Sequence, residues 1–117
     1  MVAIRYRLGG WVMSEEEAFK WAARLDNKPV EEVTFDYAIM IILRHLKQRI
    51  EIALVYPNTP DEAMIMVVTQ LYPYWQHSRR GEKLEQFQKG KAEELVRRIL
   101  THEGVQNIQF ITAIGEL

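Results

Sequence analysis

The segment 36–47 constrains this chain most. It carries Tyr37, Ala38, Ile39, Met40, Ile41, Ile42, Leu43 and Leu46 with few polar interruptions. Asp36 in front of it suits a helix cap, so a second helix through about Lys47 is predicted. A helix apolar nearly all round has to be buried on most sides. A chain of 117 residues is the size of one domain and supplies limited cover. The simplest cover is a second copy of the chain, and a large sheet is the alternative. A homodimer is therefore expected.

The remaining pattern alternates strands and helices. Val2, Ile4, Tyr6 and Leu8 fall on one face of a half-buried strand, with Arg5 and Arg7 on the other, and Gly9-Gly10 breaks it. Ser14 followed by Glu17 reads as a capping box opening a first helix, with Glu15, Glu16 and Glu17 in its first turn. Ala18, Trp21, Ala22 and Leu25 form its apolar stripe, and residues 26–29 end it. A short β-prone piece is expected at 30–35 and a clear strand at 49–56. Segment 63–71 has two readings. Thr59-Pro60-Asp61-Glu62 is a good helix start, whereas the β-branched, Pro-bounded run that follows favours a strand. Residues 82–103 have helical spacing, with Gly90 inside and Gly104 as a stop. Residues 105–114 return as a strand, with a bulge expected near Gln106-Asn107. The class is α+β, a single domain over 1–117 with a mixed sheet of four or five strands packed with three or four helices.

Composition narrows the function classes. With 15 basic and 16 acidic residues, the chain has no overall field that would gather nucleic acid or anionic lipid. Any such site has to be a local cluster. There are no cysteines, which removes disulfides and thiolate metal sites and fits the cytoplasm. The N-terminus reads as a strand rather than a signal peptide. No apolar run, Ala38 to Leu43 being among the longest, approaches the roughly 20 residues that a membrane span needs. No phosphate-binding glycine loop, dinucleotide fingerprint, zincin motif or nucleophile elbow is present. His45, His77 and His102 have no metal-ligand spacing, so neither a metal nor another cofactor is expected.

Chemistry concentrates in 71–80. Arg79 and Arg80 suit bidentate phosphate contacts. Tyr74 and Trp75 suit base stacking. His77 suits general acid–base work near neutral pH. The plainer reading packs Tyr72 and Trp75 in the core and leaves 77–80 as a solvated helix entry. His45 reads as a core or interface histidine bonded to a carbonyl, and His102 as a cation at a helix C-terminus. Lys89, Lys91, Arg97 and Arg98 make one side of the last helix basic, but Glu85, Glu93 and Glu94 interleave with them, as on a salt-bridged surface. The glutamates 15–17 are explained by helix-start electrostatics.

Three short stretches share a further likeness. They are Gly10-Trp11-Val12-Met13-Ser14-Glu15-Glu16-Glu17-Ala18, Arg49-Ile50-Glu51-Ile52-Ala53-Leu54, and Asp61-Glu62-Ala63-Met64-Ile65-Met66. Together they resemble the small viral and phage ring nucleases, which degrade cyclic tetra-adenylate and silence type III CRISPR signalling. The resemblance covers about 10–71. It implies a homodimer with a continuous sheet, a cyclic oligonucleotide held across the dimer, and a viral or mobile-element origin. The family's catalytic histidine follows a glycine before the second helix, where this chain reads Val33-Thr34-Phe35-Asp36-Tyr37. No catalytic residue is assigned, and whether the chain is an enzyme stays open. Two readings follow. One is a homo-oligomeric binding or interaction module, engaging a protein or nucleic acid. The other is a cyclic-oligonucleotide-binding protein or nuclease. Arg49, Tyr74, Trp75, His77, Arg79 and Arg80 are the candidate binding residues.

Overall fold

The computed structural model describes residues 5–46, 50–58, 61–73 and 85–116. The elements are β1 (Tyr6–Ser14), α1 (Glu15–Asp26), a 3-10 turn (Val30–Glu32), α2 (Phe35–His45), β2 (Glu51–Val55), β3 (Met64–Pro73), α3 (Lys91–His102) and β4 (Gln109–Gly115). The strands form one sheet in the order β2-β3-β1-β4, and every pairing is antiparallel. The α+β class stands. The sheet is antiparallel where a mixed one is predicted, and the β-prone piece at 30–35 supplies no strand, since Val30–Glu32 forms a 3-10 turn and Phe35 opens α2.

Segment 63–71 is a strand, the longest of the four. It lies between β1 and β2 and buries Ile65, Met66, Val67 and Val68 from both sides. A strand buried on both faces reads as a continuous apolar run, which is why its periodicity is ambiguous in the sequence. The predicted break at Gly9-Gly10 does not occur, and β1 runs straight through it. A Cβ on Gly10 would lie 2.2 Å from the Val67 carbonyl oxygen, so only glycine lets the two backbones approach this closely. The bulge falls here, not at 106–107. Thr69 is the extra residue on β3, and its hydroxyl donates to the Gly9 carbonyl at 3.3 Å. Asn107 instead takes a left-handed turn before β4, at φ 58°.

One face of the sheet carries the helices. Trp11, Met13, Ile65 and Val67 meet Ala18, Trp21 and Ala22 of α1, Ala38, Ile41 and Ile42 of α2, and Val96 and Leu100 of α3. Ser14 caps α1 by accepting from the Glu17 N–H at 3.1 Å. The reciprocal half of the capping box is absent, since the Glu17 carboxylate accepts instead from the Gln106 N–H at 2.9 Å. Thr34, not Asp36, caps α2. That helix is less buried than its composition predicts. Ala38, Ile41 and Ile42 are buried, Ile39 and Leu43 are half-buried, and Met40 is 43% exposed. The sheet and α1 therefore supply most of the cover assigned in the sequence to a second copy. The last helix starts at Lys91, with Gly90 as its N-cap rather than an interior kink, and 85–90 is non-helical. Gly104, at φ 83°, follows the helix end as predicted.

None of the described helices lies on the other face. Leu8, Val12, Ala53, Val55, Met66 and Val68 form a second core made of strand residues alone. The sheet achieves this by coiling. Val55 lies at the Ser14 end of the sheet and Gly115 at the Tyr6 end, according to the register. Yet a Cβ on Gly115 would be 3.5 Å from Val55 Cγ1 and 2.9 Å from Leu8 Cδ1. Diagonally opposite corners of the sheet therefore meet, and the edge strands β2 and β4 come within 8 Å without pairing. No described helix is long and apolar enough to cross a membrane.

Candidate functional site

All six residues singled out in the sequence, Arg49, Tyr74, Trp75, His77, Arg79 and Arg80, lie outside the described residues. Their neighbours in the chain are described, and these gather at one end of the sheet. Tyr72, at the end of β3, stacks on Phe87 with ring centroids 5.8 Å apart and planes 21° from parallel. The Arg7 guanidinium sits 4.4 Å from the Phe87 centroid and 5.5 Å from that of Tyr72. Its Nη1 also donates to Glu85 Oε2 at 2.9 Å. The chain thus leaves the described structure at Pro73 and re-enters at Glu85, with the two flanks held together. β2 enters the sheet at Glu51 opposite Val68, four residues, or about 13 Å, before Tyr72 along β3.

The platform is built on backbone shape. Phe87 lies over Gly9, where a Cβ would approach its Cδ2 to 2.5 Å. The Phe87 N–H donates to Thr112 Oγ1 at 2.9 Å, and Gln70 Nε2 donates to the Gln88 carbonyl at 2.9 Å. These contacts fix 85–90 across strands β3, β1 and β4. Tyr72 nevertheless remains 58% exposed, and Leu71 beside it is also exposed. A separate cleft of about 650 Å³ opens where the corners of the sheet meet, lined by Arg5, Leu54, Tyr56, Ile114, Gly115 and Glu116. The exposed aromatic stack with a cation over it suits a flat ligand with a π-face. The ion pair with Glu85 offsets part of the Arg7 charge, so phosphate recognition has to draw on other cations.

A second cluster has no signature in the sequence. His45 Nε2 at the end of α2 is paired with Glu103 Oε1 just after α3, 58 residues away. This replaces the carbonyl partner predicted for His45. Trp21 packs edge-on against the imidazole at 6.3 Å, and Arg24 Nη2 donates to the Glu103 carbonyl at 3.2 Å. Trp21 Nε1 and Glu103 Oε2 are buried with no hydrogen-bond partner. A small cavity of about 180 Å³ beside His45 is lined by Leu25, Asp26, Ile41 and Arg44. An imidazole–carboxylate pair can relay a proton. The cavity lining holds no hydroxyl or thiol to serve as nucleophile. The geometry is that of a clamp joining the C-terminal ends of α2 and α3.

The structure also revises the charge pattern of α3. Glu93 turns inward, is 4% exposed, and accepts from the Gly90 N–H at 2.7 Å. The indole N–H of Trp11 donates to the Glu93 carbonyl at 2.9 Å, fixing this end of α3 to β1. Glu85 is engaged by Arg7. Glu94 accepts twice from Arg97 Nε, at 3.0 and 3.1 Å. That hydrogen bond, with the positive charges nearby, holds the Glu94 carboxyl below its ordinary range and raises Arg97. Of the interleaved carboxylates Glu93 alone is withdrawn from the surface, while Glu85 and Glu94 are paired with arginines and stay exposed, at 84% and 43% of their side chains. His102 is exposed in the last turn of α3, as predicted. Among the described residues no three His, Cys, Asp or Glu side chains gather as metal ligands. No known protein family, curated protein or solved structure matches this chain.

Proposed function

We propose that this chain is a binding module whose recognition surface is the end of the sheet formed by Arg7, Tyr72 and Phe87. One observation carries the reading. Tyr72 and Phe87, on the two flanks of segment 74–84, stack under the Arg7 guanidinium with Tyr72 exposed, and Tyr74, Trp75, His77, Arg79 and Arg80 follow in the sequence between those flanks. Arg49 directly precedes the stretch that enters the sheet at the same end. Aromatic faces and several guanidiniums suit an oligonucleotide, with bases stacked and phosphates held by arginine. The ligand class proposed is a single-stranded or cyclic oligoribonucleotide, in line with the sequence likeness at 10–71. Cleavage is outside the proposal.

The test is isothermal calorimetry with cyclic tetra-adenylate and with a linear oligoadenylate. Saturable heat is expected from one of them, reduced at least about tenfold in Tyr72→Ala and in Arg79→Ala/Arg80→Ala. Heat indistinguishable from buffer with both ligands refutes the reading. Self-association is a second reading, favoured by the exposed Met40 on the otherwise apolar α2. Light scattering then gives about 28 kDa, twice the 13.8 kDa chain. A mass near that of one chain at micromolar concentration removes it.

A further inference from the structure

The outward face of α3 is the part of the molecule with a defined chemistry and no described partner. Leu95 and Ile99, spaced i and i+4, are 59% and 37% exposed. With Ala92 and His102 they follow the 3-4-3 spacing of a helix-pairing seam. Val96 and Leu100 point the other way, into the core. Lys91 and Arg98 lie seven residues apart, so they flank one side of this seam, and both are exposed. Among the described residues Lys91 has no ion pair, and Arg98 makes a single long one, to Glu94. Glu93 is buried against the helix start, and Glu94 is held by Arg97, with Arg98 Nε 3.9 Å away from it.

The same charges argue against a second copy as the occupant. Two α3 helices packed antiparallel on this seam would set Lys91 and Arg98 against each other, and like charges across such a flank oppose pairing. In the parallel arrangement they would face the Val96 side, which is already buried. We infer that the Leu95–Ile99 face of α3 docks an acidic amphipathic helix of a partner protein. Apolar side chains of that helix would cover Leu95 and Ile99, and glutamates or aspartates on its flank would face Lys91 and Arg98. Such opposed flanking charges select the partner and speed its encounter.

The probe is a fluorescein-labelled peptide of about three heptads, with leucine at the seam positions and glutamate on both flanks. Glutamate repulsion keeps it from pairing with itself at neutral pH. Anisotropy is expected to rise saturably with the native chain, and less so as salt rises from about 50 to about 500 mM. Lys91→Glu/Arg98→Glu and Leu95→Ala/Ile99→Ala should each weaken binding at least about tenfold. Both pairs are at the surface, and an unchanged circular dichroism spectrum verifies that they fold. The peptide with lysine on its flanks should bind only the Lys91→Glu/Arg98→Glu variant. No saturable change up to about 100 μM overturns the inference. So does full retention of binding by Leu95→Ala/Ile99→Ala, which would reduce the contact to unspecific charge. Flotation with phosphatidylserine vesicles in the absence of peptide binding assigns the face to a membrane surface and also overturns it.

Discussion

The two faces of the sheet solve the same problem by different means. On one, three amphipathic helices cover Trp11, Met13, Ile65 and Val67. On the other, the sheet coils until its own corners cover Leu8, Val12, Met66 and Val68. The first solution uses large side chains and tolerates ordinary backbone spacing. The second depends on the absence of side chains, since Gly10 and Gly115 stand where a Cβ would strike a neighbour. A four-stranded antiparallel sheet can thus hide much of both faces in a single chain. The two binding surfaces proposed above accordingly lie at the end of the sheet and on the outside of α3.

The largest effect is expected at the hinge between the two solutions. Gly10→Ala sets a methyl against the Val67 carbonyl, a backbone atom that cannot move alone. It should cost about 4 kcal/mol or more in urea unfolding, enough to unfold a chain of this size. A loss below about 1 kcal/mol would show that the coil does not depend on close backbone approach. Next come the cores themselves. Trp21→Ala should cost about 3–5 kcal/mol and Met66→Ala about 2–4 kcal/mol, each with one cooperative transition. A near-neutral Met66→Ala would mean that the second face is not packed.

Gly9→Ala sharpens the contrast within one dipeptide. Its methyl meets the ring of Phe87, a side chain on a non-helical segment, rather than backbone. A loss of about 1–2 kcal/mol is expected, with the Tyr72 stack disturbed and oligonucleotide binding weakened. If it destabilises as much as Gly10→Ala, the two glycines do not serve different faces. The smallest effect is at the helix clamp. A double-mutant cycle of His45→Ala and Glu103→Ala should give a coupling of about 0.5–1 kcal/mol, reduced by the partial exposure of both groups. Zero coupling would remove the pair as a tie between α2 and α3.

Local structure was well marked in the sequence where one element determined it. Ser14 and Gly104 bound their helices as their residue types require, whereas the β-branched run at 64–69, open between helix and strand in the sequence, became a strand through its place between β1 and β2. Where a tertiary contact decided, the local signal misled. Gly9-Gly10 reads as a break, yet β1 needs those glycines to lie close to β3 and beneath Phe87. Gly90 lies within an apparently continuous helical pattern, yet Glu93 folding back on its N–H makes it the start of α3. The apolar breadth of α2 overstates its burial, because Met40 stays exposed. Of the candidate site, the aromatic and basic residues were visible by type, whereas their framing by Arg7, Phe87 and Glu85 was not. Nothing in the sequence links His45 to Glu103 across 58 residues.

The self-covered face is the claim on which the rest depends, and nuclear Overhauser spectroscopy on the isotopically labelled protein tests it most directly. Cross-peaks are expected from the Gly115 Hα protons to the methyl groups of Val55 and Leu8, joining opposite corners of the sheet. If those cross-peaks are missing while the β1–β4 and β2–β3 ladders are present, the sheet is open. Its second apolar face would then need a partner to cover it, contrary to the fold described.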